Sequence, residues 1–267
     1  MGISRLSIVE LFSGIGSQAL ALNNVASRRN IDVIVENTCE WDIHSIIAYD
    51  IIHNDYFIDK TVYNMSRHAL LQDIMQYNIS INGKVSISEK TLNTFTDELL
   101  KKILSSIYRT KNLIDVRDVK GRELPSNLDI LTYSFPCQDL SNVGALHGYN
   151  KGIDRESGSR SGLLWEVERI LENVTALEAK RHSNNFQDWQ DTLKSLGYYN
   201  KIYKLYAPDF GIPQNRKRLI MLSYLTNTEE RNLLDLYYSN NNLEDKRVDL
   251  IPLINFLHLE DHGDYFE

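Results

Sequence analysis

A strand that closes in a glycine turn and runs straight into a helix fixes much of what this chain can fold into. Ser7-Ile8-Val9-Glu10-Leu11-Phe12 is a short β-rich run, Ser13-Gly14-Ile15-Gly16 ends it, and Gln18 to Val25 has helical spacing. A second strand begins at Asp32-Val33-Ile34-Val35 and ends near Cys39-Glu40-Trp41, and helical apolar spacing follows from Ile43 to Ile52. This β-α-β-α alternation belongs to a parallel sheet with crossover helices, because parallel neighbours need a long connection between them. With 42% hydrophobic residues among 267, the chain can bury the core of one large α/β domain, or of one domain and a partial second.

Residues 55–110 are polar and rich in Asn, Ser and Lys, with a helical patch at Thr96 to Tyr108, and read as an insertion on the sheet. Leu113-Ile114-Asp115-Val116 is expected as a third strand and Leu128 to Ser134 as a fourth, ending in Phe135-Pro136-Cys137-Gln138. Gly144 to Gly162 reads as a long mobile loop. Helices are expected at Leu163 to Leu171 and Phe186 to Leu196, the second closed by Gly197, with strands at Tyr198 to Tyr206 and Leu219 to Leu225. Residues 1–225 are expected to form the main domain, and 226–267 an acidic tail without strong periodicity.

The N-terminus has no signal-peptide pattern and no window is apolar enough to span a bilayer, so a soluble cytoplasmic protein is expected. Two cysteines exclude a disulfide framework and a Cys-rich zinc site, and no metal is expected. A net charge of -7 is the wrong sign for a surface that grips phosphates throughout, so any nucleic-acid binding must be local.

The glycine turn lets a ligand approach the backbone closely, although it serves equally as plain turn geometry. Glu40 stands where Rossmann-like folds bind a ribose diol, and Trp41 beside it can stack on a base; the alternative is a strand-end acid next to a core indole. Asp115 can accept from an exocyclic amine or simply close a turn. Cys137 follows a strand at the carboxyl edge of the sheet, where open α/β sheets bind their ligands, whereas most free cysteines are small buried hydrophobes. Cys39 lacks such a setting and reads as structural. Arg216 and Arg218 alternate, so they share one strand face, which is either functional or merely solvated.

Taken in order, Phe-Ser-Gly-Ile-Gly, Glu-Trp, Asp115, Ser-Phe-Pro-Cys-Gln, Glu172-Asn173-Val174 and Gln214-Asn215-Arg216-Lys217-Arg218 resemble the DNA cytosine-C5 methyltransferases over positions 7 to about 225. Arg160-Ser161-Gly162-Leu163-Leu164-Trp165-Glu166 adds to the match, and the surroundings of Cys137 are most similar to the bacterial enzymes of the mollicute CpG type. The resemblance implies a Rossmann-like fold that uses S-adenosylmethionine and acts on double-stranded DNA, within a restriction-modification or orphan methylation system in a bacterial cytoplasm, nucleoid-associated when on DNA.

It further implies that Cys137 adds to C6 of a flipped cytosine, that Glu172 relieves charge at N3, and that Arg218 holds O2 with Arg216 nearby. Phe12, Gly14, Ile15 and Gly16 would hold the methionine end of the cofactor, Glu40 and Trp41 the ribose and adenine, and Asp115 the adenine amine, with Pro136 and Leu163 closing the pocket. Gln138, Ser141, Arg160 and Gln214 fall to the DNA side, and Lys151 and Arg155 supply local positive charge in the loop that would fold over the duplex.

Two departures qualify these expectations. Only Ile170-Leu171 precedes Glu172 as apolar lead-in, too short for a strand of roughly 5 to 6 residues, so one core strand is expected to be missing and Glu172 to lie on a helix. The family's recognition region and last cofactor motifs also have no room in residues 226–267. A separate subunit carrying them, or a catalytically inactive remnant or non-catalytic cofactor- or DNA-binding subunit, follows as the alternative. An RNA cytosine or uracil methyltransferase fits the motifs less well.

Overall fold

The computed structural model describes residues 4–54, 57–135, 163–175 and 186–252. The chain divides into two compact units, Met1–Glu178 with Ser183–Asn185, and Ala179–His182 with Phe186–Glu267.

The first unit is built on a parallel three-stranded sheet in the order β2-β1-β3, with β1 at Ser4–Leu11, β2 at Ile31–Cys39 and β3 at Ile130–Tyr133. Its register places Leu11 between Cys39 and Tyr133, so Phe12, Glu40 and Ser134 leave the sheet side by side at its carboxyl edge. Helix α1 (Ser17–Ala26) follows the glycine turn and α2 (Ile43–His53) follows β2, as the alternation predicts. The central strand has Ile8, Val9 and Leu11 fully buried.

In residues 57–109 the helical patch expected at Thr96 to Tyr108 is one of several helices. Four helices, α3 (Lys60–Tyr63), α4 (Arg67–Ile74), α5 (Glu89–Leu92) and α6 (Asp97–Arg109), begin at Asp59, Ser66, Ser88 and Thr96, whose side chains each accept a first-turn N–H. Between these polar caps Val62, Leu70, Ile74, Ile79 and Leu92 pack with Ile43 and Ile46 of α2 and Leu100, Ile103 and Leu104 of α6 into one apolar cluster. Asp50 of α2 is fully buried and accepts from the Ser106 hydroxyl and Arg109 guanidinium of α6, each at 2.9 Å, so the pair is both charged and hydrogen-bonded.

The expected third strand, Leu113 to Val116, is not one. Ile114 has φ +63, outside the β region, and Asp115 donates its N–H to Leu113 two residues back. The reason is Asn112, whose side chain bonds the Glu40 backbone in both directions and also accepts the Ile114 N–H, so a side chain takes the place of a pairing strand at the end of β2. One backbone bond, from Leu113 to the Thr38 carbonyl, is the remnant of strand pairing.

Helix α7 (Leu164–Thr175) continues through Glu172, which therefore lies on a helix and not at a strand tip. In the second unit α8 (Phe186–Ser195) packs on an antiparallel hairpin of β4 (Tyr198–Tyr206) and β5 (Lys217–Leu225), a separate sheet of two strands. Among the described residues no strand joins the two sheets. Asn227 and Glu230 form a reciprocal capping box that starts α9 (Thr228–Asn240), so the tail expected to lack periodicity carries a helix. The ring of Tyr238 on α9 lies 6.1 Å from Tyr224 and 6.3 Å from Tyr203, fastening that helix to the hairpin. No helix among the described residues is long and apolar enough to cross a membrane.

Candidate functional site

A cavity of about 600 Å³ opens at the carboxyl edge of the parallel sheet, within the size range of small-molecule sites. Phe12, Gly14 and Ile15 line it from the turn after β1, Glu40 and Trp41 from the end of β2, and Asp115, Ser134 and Leu163 from the remaining sides. Seven of the residues expected to bind a cofactor thus share one wall system. Gly16 is buried behind it, and Pro136 lies outside the described residues.

The turn is held under constraint. Phe12 has φ +54, Gly14 +53 and Gly16 +78, so three of five successive residues take left-handed backbone. At Gly14 an added Cβ would meet nothing within 4 Å, which leaves open space for a ligand in front of the backbone. At Gly16 the same atom would come within 2.2 Å of the His53 ring and 2.6 Å of Tyr49. These two α2 residues brace the turn from behind, with a His53 ring nitrogen 3.1 Å from the Ile15 carbonyl oxygen.

Glu40 is the tie between turn and strand. One carboxylate oxygen accepts the Gly14 N–H at 3.0 Å, and the other accepts those of Trp41 and Asp42 at 2.9 Å each. Burial pushes its carboxyl above the ordinary range, and the three backbone donors pull it partly back. Glu10 plays a related role inside. It is buried, accepts the Ala19 N–H of the first turn of α1 at 2.9 Å and the Tyr49 hydroxyl at 2.7 Å, and desolvation likewise raises its carboxyl. A carboxyl at that helix end supplies the cap that Gly16 has no side chain to give.

Asp115 is held by Asn78 and Arg117, and Gly83 and Lys84 reach the cavity from the segment read as an insertion. None of these four neighbours stood out in the sequence. The i, i+2 pairing of Asp115 with Arg117 was the one available signal. Cys39 is buried and its thiol donates to the Ile114 carbonyl at 3.5 Å; burial pushes it far up, as suits the structural role expected of it.

Cys137, Gln138, Ser141, Lys151, Arg155 and Arg160 lie outside the described residues, and of Glu172 the helical backbone alone is described. Gln214, Arg216 and Arg218 are exposed in the second unit. Arg218 lies on β5 opposite Leu205, while Arg216 precedes the strand in the turn, where its carbonyl accepts from Ala207.

Fold and cavity together define an α/β domain with a cavity over the carboxyl ends of parallel strands, against a glycine turn and a strand-end acid, where folds of this class bind their ligands. Residues 87–260 match the family model of the C-5 cytosine-specific DNA methylases, and the chain belongs to that family. It is 37% identical over 238 residues to the orphan methyltransferase M.SssI of Spiroplasma monobiae, a match covering 83% of this chain and 60% of that one. With the type II methyltransferase M2.ScrFI of Lactococcus lactis subsp. cremoris it shares 34% over 239 residues, 84% of this chain and 62% of the other. The chain thus spans about three fifths of these relatives' length. The S. pombe Dnmt2 methyltransferase structure superposes with a TM-score of 0.51 at 16% identity over 96% of this chain and 60% of that one, a likeness of fold.

Proposed function

We propose that this chain is the catalytic part of a DNA cytosine-C5 methyltransferase, that the cavity holds S-adenosylmethionine, and that residues 1–225 carry the catalytic domain. The observation that supports this best is the convergence of Phe12, Gly14, Ile15, Glu40, Trp41, Asp115 and Leu163 on one cavity that Ser134 also lines. Cys137, the expected nucleophile, follows the lining residue Ser134 by three positions in the sequence.

The donor set suits the cofactor. Glu40 has used three acceptor positions on backbone N–H groups and keeps about one for a ribose hydroxyl, since a carboxylate offers roughly four. Trp41 gives an aromatic face for a base, and the open space at Gly14 admits the amino-acid arm. The bound cofactor supplies the methyl group.

In this reading the Cys137 thiolate bonds to C6 of a flipped cytosine and charge moves onto the ring. Glu172 in its protonated form, and Arg218 at O2, would take up that charge. Once C5 carries the methyl group, water takes the C5 proton, the freed electron pair re-forms the C5–C6 double bond, and the C6–S bond breaks to return the thiolate. A separate subunit carrying the recognition region would place the DNA.

A second reading is favoured by the helix that carries Glu172 and by the two separate sheets: a non-catalytic cofactor- or DNA-binding subunit. Tritiated S-adenosylmethionine with unmethylated genomic DNA, with and without a partner encoded beside this chain, separates the two. Label in DNA that is lost on Cys137→Ser supports the enzyme. No label in either mixture, together with calorimetric binding of S-adenosylhomocysteine, supports the non-catalytic subunit.

A further inference from the structure

The cavity wall from Ile114 to Arg117 belongs to no strand, so no sheet ladder holds it in place. Asn112 secures its start through its two bonds with the Glu40 backbone. Its end is a tight turn, in which the Asp118 N–H donates to the Asp115 carbonyl and the Val119 N–H to that of Val116. Arg169 of α7 meets the carbonyl side of this turn. Its Nη1 donates to the Val119 carbonyl at 2.7 Å, and its Nη2 to those of Val116 at 3.0 Å and Arg117 at 3.2 Å. Nε donates to the Glu166 carboxylate at 2.7 Å, three residues back on the same helix, which fixes the plane of the guanidinium. A rigid fork of five donors suits three converging carbonyls, whereas an ammonium acts as a point charge.

What the turn carries gives these bonds a purpose. Asp115, Val116 and Arg117 line the cavity, and so does Leu163, the residue just before α7. Val116 and Val119 are buried, so the turn is packed inward as well as bonded. One side chain, reaching carbonyls 50 to 53 positions earlier, thus ties two separate lining segments into one piece.

We propose that Arg169 is a positioning residue of the cofactor site: by holding the Val116–Val119 turn against α7, it sets where Asp115 meets the adenine amine. This rests on the cofactor reading of the cavity given above, with Asp115 as the acceptor of that amine.

The test compares two ligands by calorimetry, S-adenosylhomocysteine and its purine analogue, in which hydrogen replaces the exocyclic amine. Ligand-free melting of every variant is the folding control. The unaltered chain is expected to prefer the amine-bearing ligand about tenfold, the worth of one hydrogen bond to a charged group. Arg169→Ala is expected to bring that preference close to one, and Arg169→Lys to retain part of it. A merely structural role would weaken both ligands alike and leave the ratio as it was, and that result in a folded Arg169→Ala would overturn the proposal. If Arg169→Ala does not fold, Arg169→Lys decides, and an undiminished preference there would overturn it equally. Equal binding of the two ligands by the unaltered chain would also overturn it while leaving the cofactor reading in place. Binding of neither ligand would bring down the cofactor reading, and this proposal with it.

Discussion

The Gly14 N–H donates to the Glu40 carboxylate at 3.0 Å, joining the turn after β1 to the end of β2 across the floor of the cavity. Glu40→Ala strips an acceptor from three backbone donors at once. Hydrogen bonds to a charged group contribute about 1.5 to 3 kcal/mol each, part of which water recovers at a cavity, so a net loss of about 3 kcal/mol is expected. Urea denaturation measures it. Binding of S-adenosylhomocysteine should fall at least tenfold, while Glu40→Gln, which keeps one acceptor oxygen, should retain more stability than binding.

The two glycines of the turn should respond differently to alanine. Both have positive φ, a strain of about 1 to 3 kcal/mol for a residue with a side chain. Gly16→Ala adds a collision with His53 and Tyr49 and should be the more destabilising by denaturation. His53→Ala in that background should recover part of the difference. Gly14→Ala meets no protein atom, so its larger effect should be on ligand affinity. Equal stabilities for the two variants would count against the bracing role of α2.

Glu10 should make stability fall as pH rises past the ordinary carboxylate range. Its folded-state carboxyl is raised above 4.5, so between that value and the folded one the native chain binds more proton than the unfolded chain. Stability from this group is therefore complete below about 4.5 and lost as pH rises through the folded value. Glu10→Gln removes the titration. The difference in melting temperature, wild type minus variant, should decline with rising pH and then level off; Glu40, raised in the same sense, is present in both proteins and cancels. A difference that stays flat from pH 4 to 8 would refute it.

The parallel core was legible because its signals were local. Strand β4 has the boundaries expected, Tyr198–Tyr206, and α1, α2 and α8 lie within about a residue or two of theirs. The segment at 113–116 misled because its apolar run is β-like, while the group that decides its conformation is the side chain of Asn112, bonded to a residue 72 positions earlier. Between 57 and 109 the longest helix, α6, matches the patch expected at Thr96 to Tyr108, whereas α3, α4 and α5, each opened by a polar cap, hold too few apolar residues to show a period. The helix in the tail has a local signal of its own, Asn227 and Glu230, a capping pair three residues apart.

Of the candidate site, the residues with unusual chemistry were legible and their supports were not. Glu40, Trp41 and Asp115 stood out by position. Glu10 inside a strand, and Tyr49 with His53 inside a helix, look like ordinary pattern residues until the turn is folded onto them.

The bonds from Asn112 to Glu40 also set a timetable. His53 closes the first β-α-β-α stretch, and Arg117, the last residue of the wall formed by residues 114–117, comes 64 positions later. At about 5 to 20 residues per second of synthesis, the carboxyl ends of β1 and β2 wait about 3 to 13 seconds on the ribosome before that wall exists. During that interval the end of β2 lacks the Asn112 side chain that bonds Glu40, while the four capped helices are made.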